Sequence, residues 1–234
     1  MAGLIDAVLF DKDGTLFDFQ QSWGGVAVSV LNQLARDPAH AADLAAAMGF
    51  DPATRRFAPD SPMIAGTAAD IAAAMLPLLP GLGAKALEAE LNRAAVLAPM
   101  HPAVDLGRVL QDLRDRGLRI GLATNDTEAP ARAHLTEAGI LDLFDFIAGC
   151  DSGHGAKPEP GMLLAFAREL DLPVGRVVMV GDSRHDLLAG RAAGMRVVGV
   201  LTGIADRAEL EPHADVVLPD IAGLAGWIAG LPAP

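Results

Sequence analysis

The chain has 234 residues, 51% of them hydrophobic, and a formal net charge of −12. That length allows one large domain, or a core domain with a smaller one inserted, and the apolar fraction is ample for a sizeable core. The negative charge disfavours nucleic acid or an anionic membrane surface as partner. An anionic substrate would need a local cation, from a metal or a basic residue, and the lysines are only Lys12, Lys85 and Lys157. One cysteine, Cys150, allows no intrachain disulfide and fits a reducing compartment. Without a basic region leading into a cleavable apolar segment, and without a membrane-length apolar run, the chain reads as soluble and cytoplasmic.

Taken in order, an apolar run from Leu4 to Phe10 stops at two aspartates one residue apart, in Asp11-Lys12-Asp13-Gly14-Thr15-Leu16. Such a run with an abrupt polar end predicts a buried parallel strand. Alternation along an extended chain sets Asp11 and Asp13 on one side and points Lys12 elsewhere. Gly14 permits a tight turn and close backbone approach. Residues 17–99 then show no convincing strand. Apolar spacing predicts helices over 22–36, 40–48, 67–76 and 84–97, with a Pro- and charge-rich loop over 51–66. This is the pattern of an inserted helical domain, with Ala98-Pro99-Met100-His101-Pro102 as the returning hinge.

From residue 103 the chain alternates. Helices are predicted over 103–116, 128–138, 161–170, 186–193 and 221–229. Strands are predicted over 118–123, 144–148, 176–180, 196–201 and 214–218. Strands alternating with helices argue for a Rossmann-like α/β core with a parallel sheet covered on both faces. The expected division is a core of residues 1–16 and 100–234 and an all-helical cap of residues 17–99.

Parallel strands bring their polar ends to one edge of the sheet. There the sequence offers Asp11 and Asp13, then Thr124 and Asn125, then Lys157 in a loop, then Asp182 with Asp186 one helical turn on. Four converging carboxylates need a cation. All-oxygen ligands suit a hard divalent ion, and Mg²⁺ is typical where phosphate is also bound. Lys157 can neutralise phosphate oxygens, and Thr124 and Asn125 offer neutral donors. Helix N-termini after Thr124 and Gly181 would add to this anion site. The set fits phosphoryl transfer to a carboxylate nucleophile, Asp11, with Asp13 as general acid and then base.

These residues resemble the four motifs of the haloacid dehalogenase (HAD) superfamily of phosphatases. Asp11-x-Asp13 is similar to its first motif, Thr124 to its second, Lys157 to its third and Gly181-Asp182-Ser183-Arg184-His185-Asp186 to its fourth. The resemblance covers the whole chain and is greatest to the phosphoglycolate phosphatase-like branch, in which a helical cap follows the first motif. It implies Mg²⁺ held by Asp11, the backbone carbonyl of Asp13 and Asp182, with Asp186 supporting metal water or Lys157. The implied reaction is hydrolysis of a small phosphomonoester, first of all 2-phosphoglycolate, by a monomer or homodimer.

Other readings use the same fold. Haloacid dehalogenases lack the second acid of the first motif, so Asp13 argues for phosphate chemistry. Phosphonatases need a cap lysine, and Lys85 is expected on a solvated helix face. A sugar-phosphate mutase of the β-phosphoglucomutase type, or a non-catalytic binding module, remains open. Substrate choice is expected to lie in the cap, where Arg55 or Arg56 could meet a second anionic group. His154 reads as an exposed loop residue, His185 as capping or solvating its helix, Trp23 as core packing with the cap–core joint as its alternative, and Cys150 as a small core residue.

Overall fold

The computed structural model describes residues 4–232. Strand β1 (Ala7–Phe10) is wholly buried and lies at the centre of a six-stranded parallel sheet. After it, α1 (Phe19–Leu34) starts at Asp18, whose carboxylate accepts from Gln21 N. Helix α2 (Pro38–Ala47) has Asp37 as its N-cap and proline in its first turn, the favoured chemistry for a helix start. A hairpin of β2 (Phe50–Asp51) and β3 (Arg56–Phe57) follows. Then come α3 (Pro62–Ala65), α4 (Ala68–Met75), opened by a Thr67–Asp70 capping box, and α5 (Ala84–Val96).

The chain then alternates through α6 (Leu106–Asp115), β4 (Arg119–Ala123), α7 (Glu128–Glu137), β5 (Phe146–Ala148), α8 (Gly161–Glu169) and β6 (Val177–Gly181). It continues with α9 (Arg184–Ala193), β7 (Arg196–Val200), α10 (Arg207–Leu210), β8 (Val216–Leu218) and α11 (Leu224–Ala229). The strand order is β5-β4-β1-β6-β7-β8. Phe10 pairs with Leu122 on one side and Val180 on the other. The chain therefore runs outward from β1 through β4 and β5, then returns to lay β6 on the opposite flank. The reversal makes a crevice between the ends of β1 and β6, where ligands of open α/β sheets bind.

Both faces of β1 are covered. Val8 and Phe10 pack with Leu110 of α6, Leu135 of α7 and Leu224 of α11. Ala7 and Leu9 pack with Met162 and Phe166 of α8 and Ala189 of α9. Burying a side chain such as Phe10 contributes about 1.5–3 kcal/mol, so this strand is a firm base for the acids that follow it. A separate apolar cluster, built from residues between Phe19 and Ala98, fills the helical block.

The expectation of an all-helical insertion is corrected by the β2–β3 hairpin. Phe50 pairs with Phe57 across it, with ring centroids 4.8 Å apart. Asp51 accepts from Ala53 N at 2.9 Å and Thr54 Oγ1 at 2.8 Å, and Arg55 takes a left-handed φ of 56°. The signal was an Asp-Pro turn between two phenylalanines, too short to register as strand periodicity. No helix among the described residues is long and apolar enough to cross a membrane.

Two adjacent segments join the block to the sheet. Asp18 N donates to His101 O at 2.8 Å, and Ala103 N to Leu16 O at 2.9 Å. Ser22 Oγ accepts from His101 N at 3.0 Å.

Candidate active site

Strand β1 ends at Phe10, and the next residues turn over the end of β6. Asp11 N still donates to Val180 O at 2.9 Å, which fixes Asp11 beside Gly181. Gly14, at φ 84°, closes the turn. A Cβ at Gly14 would lie 2.2 Å from Asp182 Oδ2, and one at Gly203 1.7 Å from the same atom. Two glycines thus make room for the Asp182 carboxylate against backbone.

Asp11, Asp182 and Asp186 each offer an oxygen, and these atoms lie within 4.8 Å of one another, all buried. Lys157, from the loop before α8, meets two of the three. Its Nζ is 2.5 Å from Asp11 Oδ1 and 2.7 Å from Asp186 Oδ1, and it donates to Ala123 O at 2.8 Å. Burial works to lower the Lys157 pKa, but the charges of Asp11 and Asp186 overcome it and raise the pKa above the usual value. The Asp11 carboxyl is pushed up to about 7 by burial, against the pull of Lys157 and with Asp186 and Asp13 adding to the rise. Asp182 is raised well above the usual carboxylate range by burial, then by Asp186 and Asp11.

One lysine facing three buried carboxylates leaves an excess of negative charge that a hard cation relieves. The donor set, buried carboxylate oxygens within reach of one another, fits a divalent ion such as Mg²⁺. Asp186 Oδ2 is held by Ser183 N at 3.0 Å and Ser183 Oγ at 2.7 Å. The capping box at the start of α9 thus fixes the Asp186 carboxylate.

Thr124 and Asn125 follow β4 into the same crevice, and both are buried. Thr124 Oγ1 accepts from Asp126 N at 3.1 Å, which leaves its own hydroxyl proton to donate. Asn125 departs from expectation. Its Oδ1 accepts from Lys157 N at 2.8 Å, and its Nδ2 donates to Lys157 O at 2.9 Å and Ala65 O at 2.8 Å. The side-chain amide is fully occupied in holding the Lys157 backbone and the end of α3. It is a positioning group and not a free donor to phosphate.

Asp11 and Asp13 line a common cavity and Lys12 does not, as the alternation requires; the Lys12 ammonium nevertheless reaches the Asp13 carboxylate. Lys12 is fully buried, 2.7 Å from Asp13 Oδ2 and 3.2 Å from Asp126 Oδ2. His134 Nδ1 accepts from it at 3.0 Å, while His134 Nε2 donates to Ala95 O of α5 at 2.8 Å. The pairing assigns a neutral imidazole with its proton on Nε2. Asp126 Oδ2 is buried without a hydrogen bond, and the Lys12 charge is its counterpart.

Trp23 of α1 completes the set. Its Nε1 donates to Asp13 Oδ1 at 2.8 Å, and the Lys12 ammonium stands 5.3 Å from its ring centroid. Its tie to Asp13, and the roles of Lys12, Asp126 and His134, were missed from the sequence. Lys12 lies inside the Asp-x-Asp motif and was the one available signal.

The cavity connects Asp11, Asp13, Thr124, Asn125, Lys157, Asp182's neighbour Ser183 and Asp186 to the helical block. His185, exposed as expected, stands at its rim. Arg55 and Arg56 do not line it. They are exposed on the hairpin, where the Arg55 carbonyl packs over Gly24 of α1. The expectation that they face the core site is corrected: the hairpin turn carries them outward. Lys85 is exposed. The Cys150 thiol is pushed up to about 11 by burial and the nearby Asp151, the opposite of an activated nucleophile.

A family model described as haloacid dehalogenase-like hydrolase matches residues 5–194. A phosphoglycolate phosphatase from Neisseria meningitidis is 35% identical over 139 residues, 59% of this chain and 55% of that one. The chain spans about half the length of the curated relatives it matches. A hydrolase from Pseudomonas syringae superposes with a TM-score of 0.70 at 20% identity, over 98% of this chain and 100% of that one. A β-phosphoglucomutase from Clostridium difficile does so with a TM-score of 0.66 at 19% identity, over 94% of this chain and 93% of that one. At such identities the superpositions speak for the fold alone. With the fold, the four motifs and a family match over most of its length, the chain belongs to the haloacid dehalogenase-like hydrolases.

Proposed function

We propose that this chain is a Mg²⁺-dependent phosphatase that hydrolyses a small phosphomonoester through an aspartyl phosphate. The observation that carries the reading is Lys157 bound to Asp11 and Asp186, with Asp182 completing a buried acidic cluster. Lys157 holds Asp11 Oδ1, so Oδ2 is the oxygen left to attack phosphorus. As that bond forms, the bond from phosphorus to the leaving alkoxide breaks. Asp13 protonates the alkoxide and then takes a proton from water, which attacks phosphorus and releases Asp11. Lys157 and the Thr124 hydroxyl bind the phosphoryl oxygens. A Mg²⁺ ion, when bound by Asp11 and Asp182 with Asp186 in support, supplies charge stabilisation to the transferring group.

The curated relatives named phosphoglycolate phosphatase support phosphate-ester hydrolysis as the reaction class. The helical block, residues 17–99, acts as a cap that closes over the ester, and segments 17–20 and 98–102 are its hinge. The test is phosphate release from a panel of phosphomonoesters, with Mg²⁺ and with EDTA, for the wild type and Asp11→Asn. Metal-dependent release lost in the variant supports the reading. Conversion of a sugar phosphate without net phosphate release would favour the mutase, and neither activity would favour a binding module.

A further inference from the structure

The cap side of the cavity is built from apolar side chains of four helices and the turn after α2. Val26 and Val30 come from α1, Met48 from the turn, Ile64 from α3, Ile71 from α4 and Leu91 from α5. These residues share one cavity with Asp11, Asp13 and Lys157, so an alcohol held there meets them, whereas the adjoining space at Lys157 is lined by Asp60, Asp70, Arg184 and Glu209. Among the described residues that line this cavity, Lys157 is the sole permanent cation, and it is already paired with Asp11 and Asp186. His185 stands exposed at the rim. Of the polar groups further in, the Trp23 indole and the Asn92 amide oxygen are already occupied. Trp23 Nε1 donates to Asp13, and Asn92 Oδ1 accepts from Thr127 Oγ1 at 3.1 Å. The carboxylates Asp13 and Asp126 also line the cavity.

We infer that the chain's substrate is the phosphate monoester of an apolar alcohol, branched aliphatic or aromatic, and that it selects against esters bearing a second anionic group. A substrate carboxylate in this cavity would be buried without a cation and near two aspartates, an arrangement with a heavy desolvation cost. Sugar hydroxyls would find acceptors only at Asp13 and Asp126 and a donor at Asn92, and would lose water without partners against the apolar wall. An apolar alcohol gives up no hydrogen bonds there and buries its surface against the apolar wall. The inference rests on the phosphatase reading for the position of the phosphoryl group. It narrows that reading away from 2-phosphoglycolate.

The test compares 3-methylbutyl phosphate and benzyl phosphate with 2-phosphoglycolate and glucose 6-phosphate, all with Mg²⁺. Alkyl and benzyl esters are used because their leaving groups are ordinary alcohols, unlike activated aryl esters. The expected result is a kcat/KM at least about tenfold higher for the apolar esters, the scale of one buried methylene or more. Ile71→Arg should reduce that preference at least about tenfold, by bringing a cation into the apolar wall. Because that variant can fail to fold, calorimetric titration of Asp11→Asn with benzylphosphonate and with 3-phosphonopropionate provides a readout without turnover. Equal or faster hydrolysis of 2-phosphoglycolate would overturn the substrate class and leave the phosphatase reading standing. Absence of turnover with tighter binding of benzylphosphonate would keep the apolar site and overturn the phosphatase reading. Absence of both turnover and preferential binding would overturn both.

Discussion

Trp23 Nε1 donates to Asp13 Oδ1 at 2.8 Å, so one hydrogen bond ties α1 of the helical block to the second acid of the loop after β1. Lys12 holds the other oxygen of the same carboxylate at 2.7 Å. The proposed general acid is thus gripped from the cap and from below while the cap lies against the sheet. On the proposed closure of residues 17–99 over the ester, opening would release one of the two grips and would couple substrate entry to the orientation of Asp13.

Trp23→Phe keeps the apolar ring and deletes the donor. A hydrogen bond to a charged group contributes about 1.5–3 kcal/mol. We expect kcat to fall about tenfold, equivalent to ~1.4 kcal/mol of barrier, with a smaller change in KM. Steady-state kinetics over a range of pH check this; an unchanged kcat would show that Asp13 is oriented without the cap.

Lys157→Met removes the cation that faces Asp11 and Asp186. Hydrolysis should fall by a factor of about 10³ or more, because charge stabilisation of the phosphoryl group is lost with it. Stability should fall too, since breaking a buried pair costs about 3–5 kcal/mol. Asp11, already raised by burial, would lose the lysine that opposes the rise, so its folded pKa would lie further above its unfolded one. Stability is then retained below the unfolded value and lost as pH rises, so the deficit should be larger at pH 8 than at pH 5. Urea unfolding in EDTA at the two pH values measures it.

Mg²⁺ should stabilise the folded chain because it relieves repulsion among Asp11, Asp182 and Asp186. At a concentration a hundred times its Kd the ion contributes about 2.7 kcal/mol. Thermal unfolding should show a higher Tm with Mg²⁺ and its reversal by EDTA. Asp182→Asn should lose most of that shift. A wild-type Tm indifferent to the ion would count against metal binding at this cluster.

His134 should make the protein acid-sensitive through a route apart from the carboxylates. Burial, then the charge of Lys12, pushes its imidazole pKa down to about 4, from an ordinary value of 6.5. A depressed folded pKa means stability present above the unfolded value and lost as pH falls through the interval between the two. The loss from pH 7 to about 4 amounts to roughly 3 kcal/mol. His134→Gln, which cannot take up a proton, should show a shallower decline over that range in chemical unfolding. Equal slopes for the two proteins would reject this role.

The site itself was legible in the sequence because its chemistry is carried by short polar breaks at strand ends. An apolar run stopped by Asp11 and Asp13, or by Gly181-Asp182, is local information, and parallel topology follows from the alternation of elements. Helix limits were read to within a few residues wherever caps such as Asp37, Thr67 and Gly194 mark them. The hairpin at Phe50 and Phe57 was missed because two residues per strand carry no period.

By itself, then, the sequence determined the order of the elements, the carboxylates and lysine of the site and the helical character of the insertion, since these depend on neighbours along the chain. Only the tertiary structure decided which groups meet. Lys12 stays out of the cavity as expected, but only the fold brings Asp126 and His134 to its ammonium beside Asp13. Asn125 binds protein rather than ligand, because the Lys157 loop and α3 converge on its amide. Arg55 and Arg56 face solvent, because a tight turn sends them outward. The apolar wall of the cap was hidden among ordinary core residues. Separate helices supply its side chains, and their common cavity exists only once the helices pack.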